Sequence, residues 1–246
     1  MKYTSGIDFL NSTKFPHLTL SDQMRGVQPP PLELPPDPTQ KKISLPNPQE
    51  VNNTSFSLRV SVEQRRSIRH YTKQPLSLGE LSYLLWVTQG VQKIYRNSVT
   101  LRTVPSAGAR HALETYLLIN NVKTLQPGIY RFLSLEHEIQ EYLMSPKISD
   151  KIVSACLGQT FIKESAVTFL WTAIPKRMTW RYSDRGYRYL FLDAGHVCQN
   201  LYLCGNSIQC GTCAIAAFLD DDLNNILGID GKTEFVIYLA TVGKKE

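Results

Sequence analysis

Arg65-Arg66-Ser67-Ile68-Arg69, followed at once by His70-Tyr71, puts three guanidiniums and a hydroxyl within five residues. Guanidinium keeps its proton and presents forked donors, so the cluster suits a doubly charged phosphate held by charge-assisted hydrogen bonds. The same residues also suit a solvated basic turn, because exposed arginines are common. Charge clustering alone leaves both readings open. Two further stretches carry reactive side chains. Trp180-Arg181-Tyr182-Ser183-Asp184-Arg185-Gly186-Tyr187-Arg188-Tyr189 is the most polar-aromatic segment of the chain, and Cys210-Gly211-Thr212-Cys213 is a lone CxxC. A zinc site needs four ligands, and Cys198 and Cys204 fall in the preceding helical pattern rather than in a second pair. A thioredoxin-like role lacks its βαβ context, so inert thiols are expected. His196 reads as a core histidine. Asp220-Asp221-Asp222 reads as the start of a short helix whose dipole the acids offset, and no metal site is expected.

The elements that must position these groups follow from spacing. Ser61 with Gln64 has capping-box spacing and would start a short helix delivering the arginines, although the alternation of Leu58, Val60 and Val62 equally suits a strand. Ser77 with Glu80 is a clearer box, opening a helix through Leu81, Leu84, Leu85 and Thr88 that ends at Gly90. Thr103 to His111 is a loop of small residues in which Gly108 can take backbone angles closed to other residues. Thr115 to Ile119 predicts a strand, and Gln126-Pro127-Gly128 a turn into another. Ser149 to Leu157 predicts a helix. Ala166 to Ile174 predicts a fully buried strand. Leu190, Ala194, Val197, Cys198 and Leu201 keep helical spacing, with Phe191, Leu192 and Leu203 making other faces apolar, as on a helix buried by the core and by a second subunit. A strand over 234–242 closes the chain.

Composition bounds the class. The 246 residues are enough for one large body, and the net charge of +6 favours anionic ligands. Nucleic-acid binding would need a basic stripe, whereas the cations here are scattered. Five cysteines without regular spacing fit a reducing cytoplasm better than a secreted framework. The first residues lack a signal-peptide core, and no window approaches the ~18 apolar residues of a membrane span. Residues 1–56 carry Pro29-Pro30-Pro31, Pro35-Pro36, Pro38, Pro46 and Pro48, which remove backbone donors, so an extended arm without packed elements is expected there, a linker wrapping the body rather than a partner-binding proline motif. Residues 57–246 would form the body.

Several motifs in order resemble the nitroreductase-like flavoproteins, and more closely their SagB-type dehydrogenase branch. They are Arg65 to Arg69 with Tyr71, Pro75-Leu76-Ser77-Leu78 with Glu80-Leu81, Leu84-Leu85-Trp86-Val87 with Gln89-Gly90, and Pro105-Ser106-Ala107-Gly108-Ala109-Arg110-His111. Pro127-Gly128-Ile129-Tyr130-Arg131, Arg185 to Tyr189 running into Asp193-Ala194-Gly195-His196, Ala214-Ile215-Ala216-Ala217-Phe218 and Val242-Gly243 continue the likeness. The resemblance implies an α+β fold, a mixed sheet flanked by helices, in an intertwined homodimer with FMN in two interfacial sites. By position, Arg65, Ser67 and Arg69 would hold the phosphate and ribityl chain, with Arg66 contributing mainly backbone and Lys244 a further phosphate partner. Pro105, Ser106, Ala107 and Gly108 would approach the flavin ring from the partner subunit. Ala216 and Ala217 would present backbone near N5, where related enzymes commonly have glycine.

The implied reaction moves a hydride between a small-molecule or peptide substrate and the flavin. In the branch that oxidises azolines to azoles, a lysine-tyrosine pair removes the proton, and the matching pair here is Arg181-Tyr182. Arginine cannot serve as the base, which leaves Tyr182 as candidate base beside a fixed positive charge; equally, both residues would only line the pocket or bind a substrate carboxylate. An NAD(P)H-dependent nitroreductase or quinone reductase is the alternative enzyme, and a binding scaffold using the proline-rich arm the alternative of another class.

Overall fold

The apolar run anticipated above is an interior strand of the sheet. The computed structural model describes residues 4–51, 57–96 and 98–246. In chain order the elements are α1 (Thr4–Ser12), β1 (Lys42–Ser44), α2 (Leu58–Gln64), α3 (Leu78–Gln89), β2 (Val91–Tyr95), β3 (Val99–Arg102), β4 (Leu113–Ile119), β5 (Gly128–Leu133) and β6 (Glu138–Leu143). There follow α4 (Ile148–Ala155), α5 (Phe161–Glu164), β7 (Val167–Ala173), α6 (Pro175–Tyr182), α7 (Gly186–Ser207), β8 (Cys210–Ile215), α8 (Asp220–Leu227) and β9 (Phe235–Lys244). Seven strands form one sheet in the order β1-β6-β5-β4-β7-β9-β8, and β2 pairs with β3 separately. Adjacent strands run antiparallel. The parallel component comes from isolated bridges, Ser67 to Thr212 and Leu76 to Val122.

Both faces of the sheet are covered, which is why β7 is buried along its whole length. On one face Leu117, Phe169 and Trp171 pack with Leu81 and Leu84 of α3 and with Leu190, Ala194, Val197 and Leu201 of α7. On the other, Tyr116, Leu118 and Leu170 meet Ile152 of α4 and Leu223 and Leu227 of α8. Each fully buried Leu, Ile or Phe contributes about 1.5–3 kcal/mol. The result is an α+β body with helices on both sides.

The arm departs from expectation. Residues 4–51 hold α1 and β1, and β1 adds an antiparallel edge strand beside β6. Proline lacks a donor but keeps its carbonyl, and buried arginines of the body use it. Arg177 Nε donates to the Pro31 carbonyl at 2.9 Å, and Arg131 Nη2 donates to Leu34 and Pro35 carbonyls at 2.8 and 3.0 Å. Glu33 is inserted as well, accepting from Ser134 Oγ at 2.6 Å. Extended backbone is thus docked on the body, as a wrapping linker would be, and the departure is the presence of α1 and β1. The boundary between 56 and 57 touches residues 52–56, which lie outside the described residues.

Two local readings also change. The helix before the arginines starts at Leu58 behind Ser57, so Ser61 is a buried interior residue and not its cap. His196 is exposed, together with Phe191 and Leu192, because it lies on the face of α7 turned from the core. The Ser77–Glu80 box is present in full and fixes the start of α3.

Candidate functional site

The arginine segment leaves α2 and lies along the edge strand β8. Ile68 N donates to the Thr212 carbonyl at 3.0 Å, and Thr72 N donates to the Lys244 carbonyl of β9 at 2.9 Å. Glycine permits this approach: a Cβ on Gly211 would come within 2.6 Å of Ile68, and one on Gly243 within 2.7 Å of Tyr71. The CxxC glycine is therefore a packing residue, and the flanking thiols are buried and unpaired. Burial pushes Cys210 up to about 12 and raises Cys213, and strand alternation directs residues three apart to opposite faces.

Arg65 and Arg69 rest on rings rather than acids. Arg65 Cζ is 5.4 Å from the Tyr202 ring centroid and Arg69 Cζ 5.8 Å from that of Phe161. Ser67 Oγ and Tyr202 Oη share a hydrogen bond of 3.0 Å. Arg66 turns back, donating to the carbonyls of Glu63 and Arg65 at the end of α2. Among the described residues none of these arginines has a carboxylate partner. Beside them is a small cavity of about 70 Å³ lined by Arg65, Arg66, Tyr202, Asn206, Thr212 and Lys245. Two buried atoms of its lining residues, Asn206 Nδ2 and Thr212 Oγ1, have no hydrogen-bond partner. Guanidiniums without acids and orphaned polar atoms suit an anion with several oxygens. Ala216 and Ala217 belong to the same end: they follow β8 exposed, and the Ala217 carbonyl accepts from Gln159 Nε2 at 2.9 Å, two residues from Phe161.

The small-residue loop builds a second group. Asp193 of α7 holds it, accepting from Ser106 Oγ at 2.6 Å and from Ala107 N at 3.3 Å. Burial raises the Asp193 carboxyl above its ordinary value, although both hydrogen bonds oppose the shift. Pro105 and Ser106 lead into a tight turn over Ala107–Ala109, in which Gly108 has φ 57°. A Cβ there would stand 2.5 Å from Tyr182 Oη and 2.9 Å from Arg181 Cδ, so this loop and the Arg181–Tyr182 pair are in contact. Tyr182 packs edge-on against Tyr189 at 4.8 Å, and the Arg181 guanidinium lies 5.7 Å from the Tyr182 ring centroid.

The two groups sit toward opposite ends of α7. Tyr189 marks one and Tyr202 the other, about 20 Å apart at 1.5 Å per helical residue. Within one chain, among the described residues, no hydrogen bond, ion pair or cation–ring contact joins them.

The sequence profile described as the nitroreductase family matches residues 62–244, which span both groups. The chain belongs to the nitroreductase family. It is 34% identical over 204 residues to "Putative nitroreductase MJ1384" of Methanocaldococcus jannaschii, covering 83% of this chain and 96% of that protein. It is 24% identical over 191 residues to the "Trifolitoxin operon protein TfxC" of Rhizobium leguminosarum bv. trifolii, covering 73% of this chain and 53% of that one. The crystal structure of a "putative nitroreductase" from Anabaena variabilis ATCC 29413 superposes with TM-score 0.72 at 30% identity, over 85% of this chain but 42% of that longer chain.

Several residues of these two groups escaped sequence reasoning. Tyr202, Asn206, Lys245 and Thr212 line the anion-suited cavity, and Asp193 anchors the loop. Only Asp193 had a signal, since it opens one of the matching motifs. Lys244, by contrast, is already engaged: Nζ donates to Glu80 Oε1 at 2.5 Å and to the Ile208 carbonyl at 2.8 Å, largely buried. Burial alone would raise Glu80, but Lys244 and Ser77 outweigh it and hold the carboxyl below its ordinary value.

Proposed function

We propose that the protein is an FMN-dependent oxidoreductase of the SagB-type dehydrogenase kind, acting as a homodimer on a small-molecule or peptide substrate. The observation that carries this reading is the acid-free cationic cavity with its two orphaned polar atoms. Arg65 in this cavity, with Ser67 and Arg69 in a second cavity of about 660 Å³ that Lys245 also lines, would hold the phosphate and ribityl chain. Ala216 and Ala217 would offer backbone to the ring, and Pro105 to Gly108 would reach it from a second copy, consistent with the distance between the two groups along α7. The exposed Phe191 and Leu192 on that helix, 57% and 59% accessible, support such a subunit contact.

When bound, FMN supplies a two-electron carrier that accepts or gives a hydride at N5. The chain's own part is to orient the substrate and manage its proton. Tyr182 Oη is the candidate proton relay, and Arg181, which keeps its charge, orients an anionic or polar group. Azoline-to-azole oxidation fits this pair less well than a lysine-tyrosine pair would. The similarity to TfxC supports the SagB-type branch. All five cysteines are unpaired, which fits a cytoplasmic setting; among the described residues no helix is long and apolar enough to cross a membrane.

The test is the visible spectrum of purified protein after incubation with FMN. A yellow, flavin-loaded dimer whose turnover collapses in Tyr182→Phe while flavin content holds is expected; protein that stays colourless would sink the reading. The second reading, an NAD(P)H-dependent nitroreductase or quinone reductase, is favoured by the 34% identity to MJ1384. It requires NADH or NADPH to bleach the flavin anaerobically and a nitroaromatic or quinone to restore it.

A further inference from the structure

The N-terminal arm crosses the Arg181–Tyr182 pair and forms with it a cleft of about 330 Å³ that is open to solvent. That volume is in the range of a small-ligand site. One wall is Phe15, Leu18, Leu20 and Met24 of the arm; the other is Arg181, Tyr182, Ser183 and Arg185. The arm is fixed where it crosses. Gln23 N donates to the Trp180 carbonyl at 2.8 Å, Trp180 Nε1 donates to the Val27 carbonyl at 2.8 Å, and Thr19 Oγ1 bonds Ser183 Oγ at 3.0 Å. Arg185 Nη1 donates to the Thr13 carbonyl at 2.9 Å, Arg188 Nε donates to Thr13 Oγ1 at 2.7 Å, and Lys176 pairs with Asp22.

Two features of this cavity are left to solvent, although the Arg185 guanidinium lies 4.4 Å from the Phe15 ring centroid. Phe15, Leu20 and Met24 are 69%, 62% and 73% accessible, among the most exposed large apolar residues of the chain, and all three face one space. Scattered exposed apolar residues need no explanation, whereas a cluster around a concave site marks apolar contact. The second feature is Arg181. The other cations of this stretch have hydrogen-bonding partners: Lys176 has Asp22, Arg177 has Glu114, Arg185 has Tyr189 and Thr13, and Arg188 has Thr13 and Leu10. Arg181 has no hydrogen-bond or ion-pair partner among the described residues; it lies exposed between the Gly108 turn and the Tyr182 ring. A neutral apolar ligand would cover the arm residues and leave that guanidinium unused; a small dianion would use it and leave the apolar wall wet.

We propose that this cavity binds a substrate with a flat apolar body and a carboxylate, the body lying on Phe15, Leu20 and Met24 of the arm and the carboxylate held by Arg181. The arm is thereby a specificity element of the substrate site. This rests on the reading of Tyr182 as the residue facing the reacting group, but the binding itself requires no flavin.

The test is calorimetric titration of the full-length protein with 2-naphthoate and with 2-naphthamide, which differ in charge and share their rings. Wild type is expected to bind the carboxylate about tenfold more tightly, the effect of ~1.4 kcal/mol. Arg181→Gln should remove that preference, Arg181→Lys should keep part of it, and Leu20→Asp or Met24→Asp should weaken the carboxylate more than the amide. Equal affinities in wild type, a preference that survives Arg181→Gln, or no binding of either ligand would overturn the proposal. Flavin absorbance of the same samples separates the two readings: colourless protein that keeps the preference sinks the flavin assignment alone, and yellow protein without it sinks the carboxylate site alone.

Discussion

The phenol oxygen of Tyr182 lies 2.5 Å from the point a Cβ would occupy on Gly108, and Gly108 holds φ 57°. Both facts restrict that position to glycine. The loop and the candidate proton relay can meet only because a side chain is missing there. Gly108→Ala is expected to cost about 1–3 kcal/mol from the left-handed backbone and the displaced phenol. Urea unfolding reads the stability, and turnover with flavin content reads the displacement. An alanine variant of wild-type stability and rate would mean that Tyr182 is not held against this loop.

The cationic end gives a second expectation. Replacing Arg65 and Arg69 together by alanine should leave the fold intact, since both rest on exposed or half-buried rings and have no buried ion pair. Flavin per subunit should fall by about tenfold or more if two charge-assisted contacts are lost. Absorbance of the dialysed protein checks it; undiminished flavin would locate the phosphate elsewhere.

Adjacent lysines should behave differently. Lys244→Met removes the partner of Glu80 in a pair only 9% and 21% accessible and should cost about 2–3 kcal/mol of stability. Lys245→Met loses a surface-near bond to Asn206 Oδ1 and a cation lining the cavity, so flavin retention should drop with little change in unfolding midpoint. Thermal unfolding and flavin content measured on both variants decide between these roles.

The docked arm predicts a pH dependence. Burial raises the Glu33 carboxyl above its ordinary 4.5, more than the Ser134 hydrogen bonds lower it. The folded chain therefore binds this proton more strongly than the unfolded chain. Stability contributed by Glu33 is complete below 4.5 and declines as pH rises through the folded value. Glu33→Gln, which cannot ionise, should be less destabilising relative to wild type at pH 7 than at pH 4. Denaturation midpoints at the two values check the sign, and a difference that grows with pH would contradict it.

Much of the body was legible because its signals are local. The Ser77–Glu80 box, the apolar run of β7, the acids and glycine bounding α8 and the positive φ of Gly108 are each fixed by residues within a turn or a strand of one another. Ser61 misled because its spacing to Gln64 is local too, while the start of α2 was set one turn earlier, at Ser57.

The amino-acid sequence alone determined the start of α3, the buried run of β7, the clustering of the arginines and the order of motifs that marks the family. Tertiary structure decided which of those groups meet. Pro31 and Arg177, joined across 146 residues, turn a proline-rich arm into part of the body. Tyr189 and Tyr202, one helix apart, separate the arginine end from the loop end. Whether a guanidinium is paired depends on folded distances that composition does not encode, and for that reason the unengaged Arg181 became visible only once the arm was seen across it.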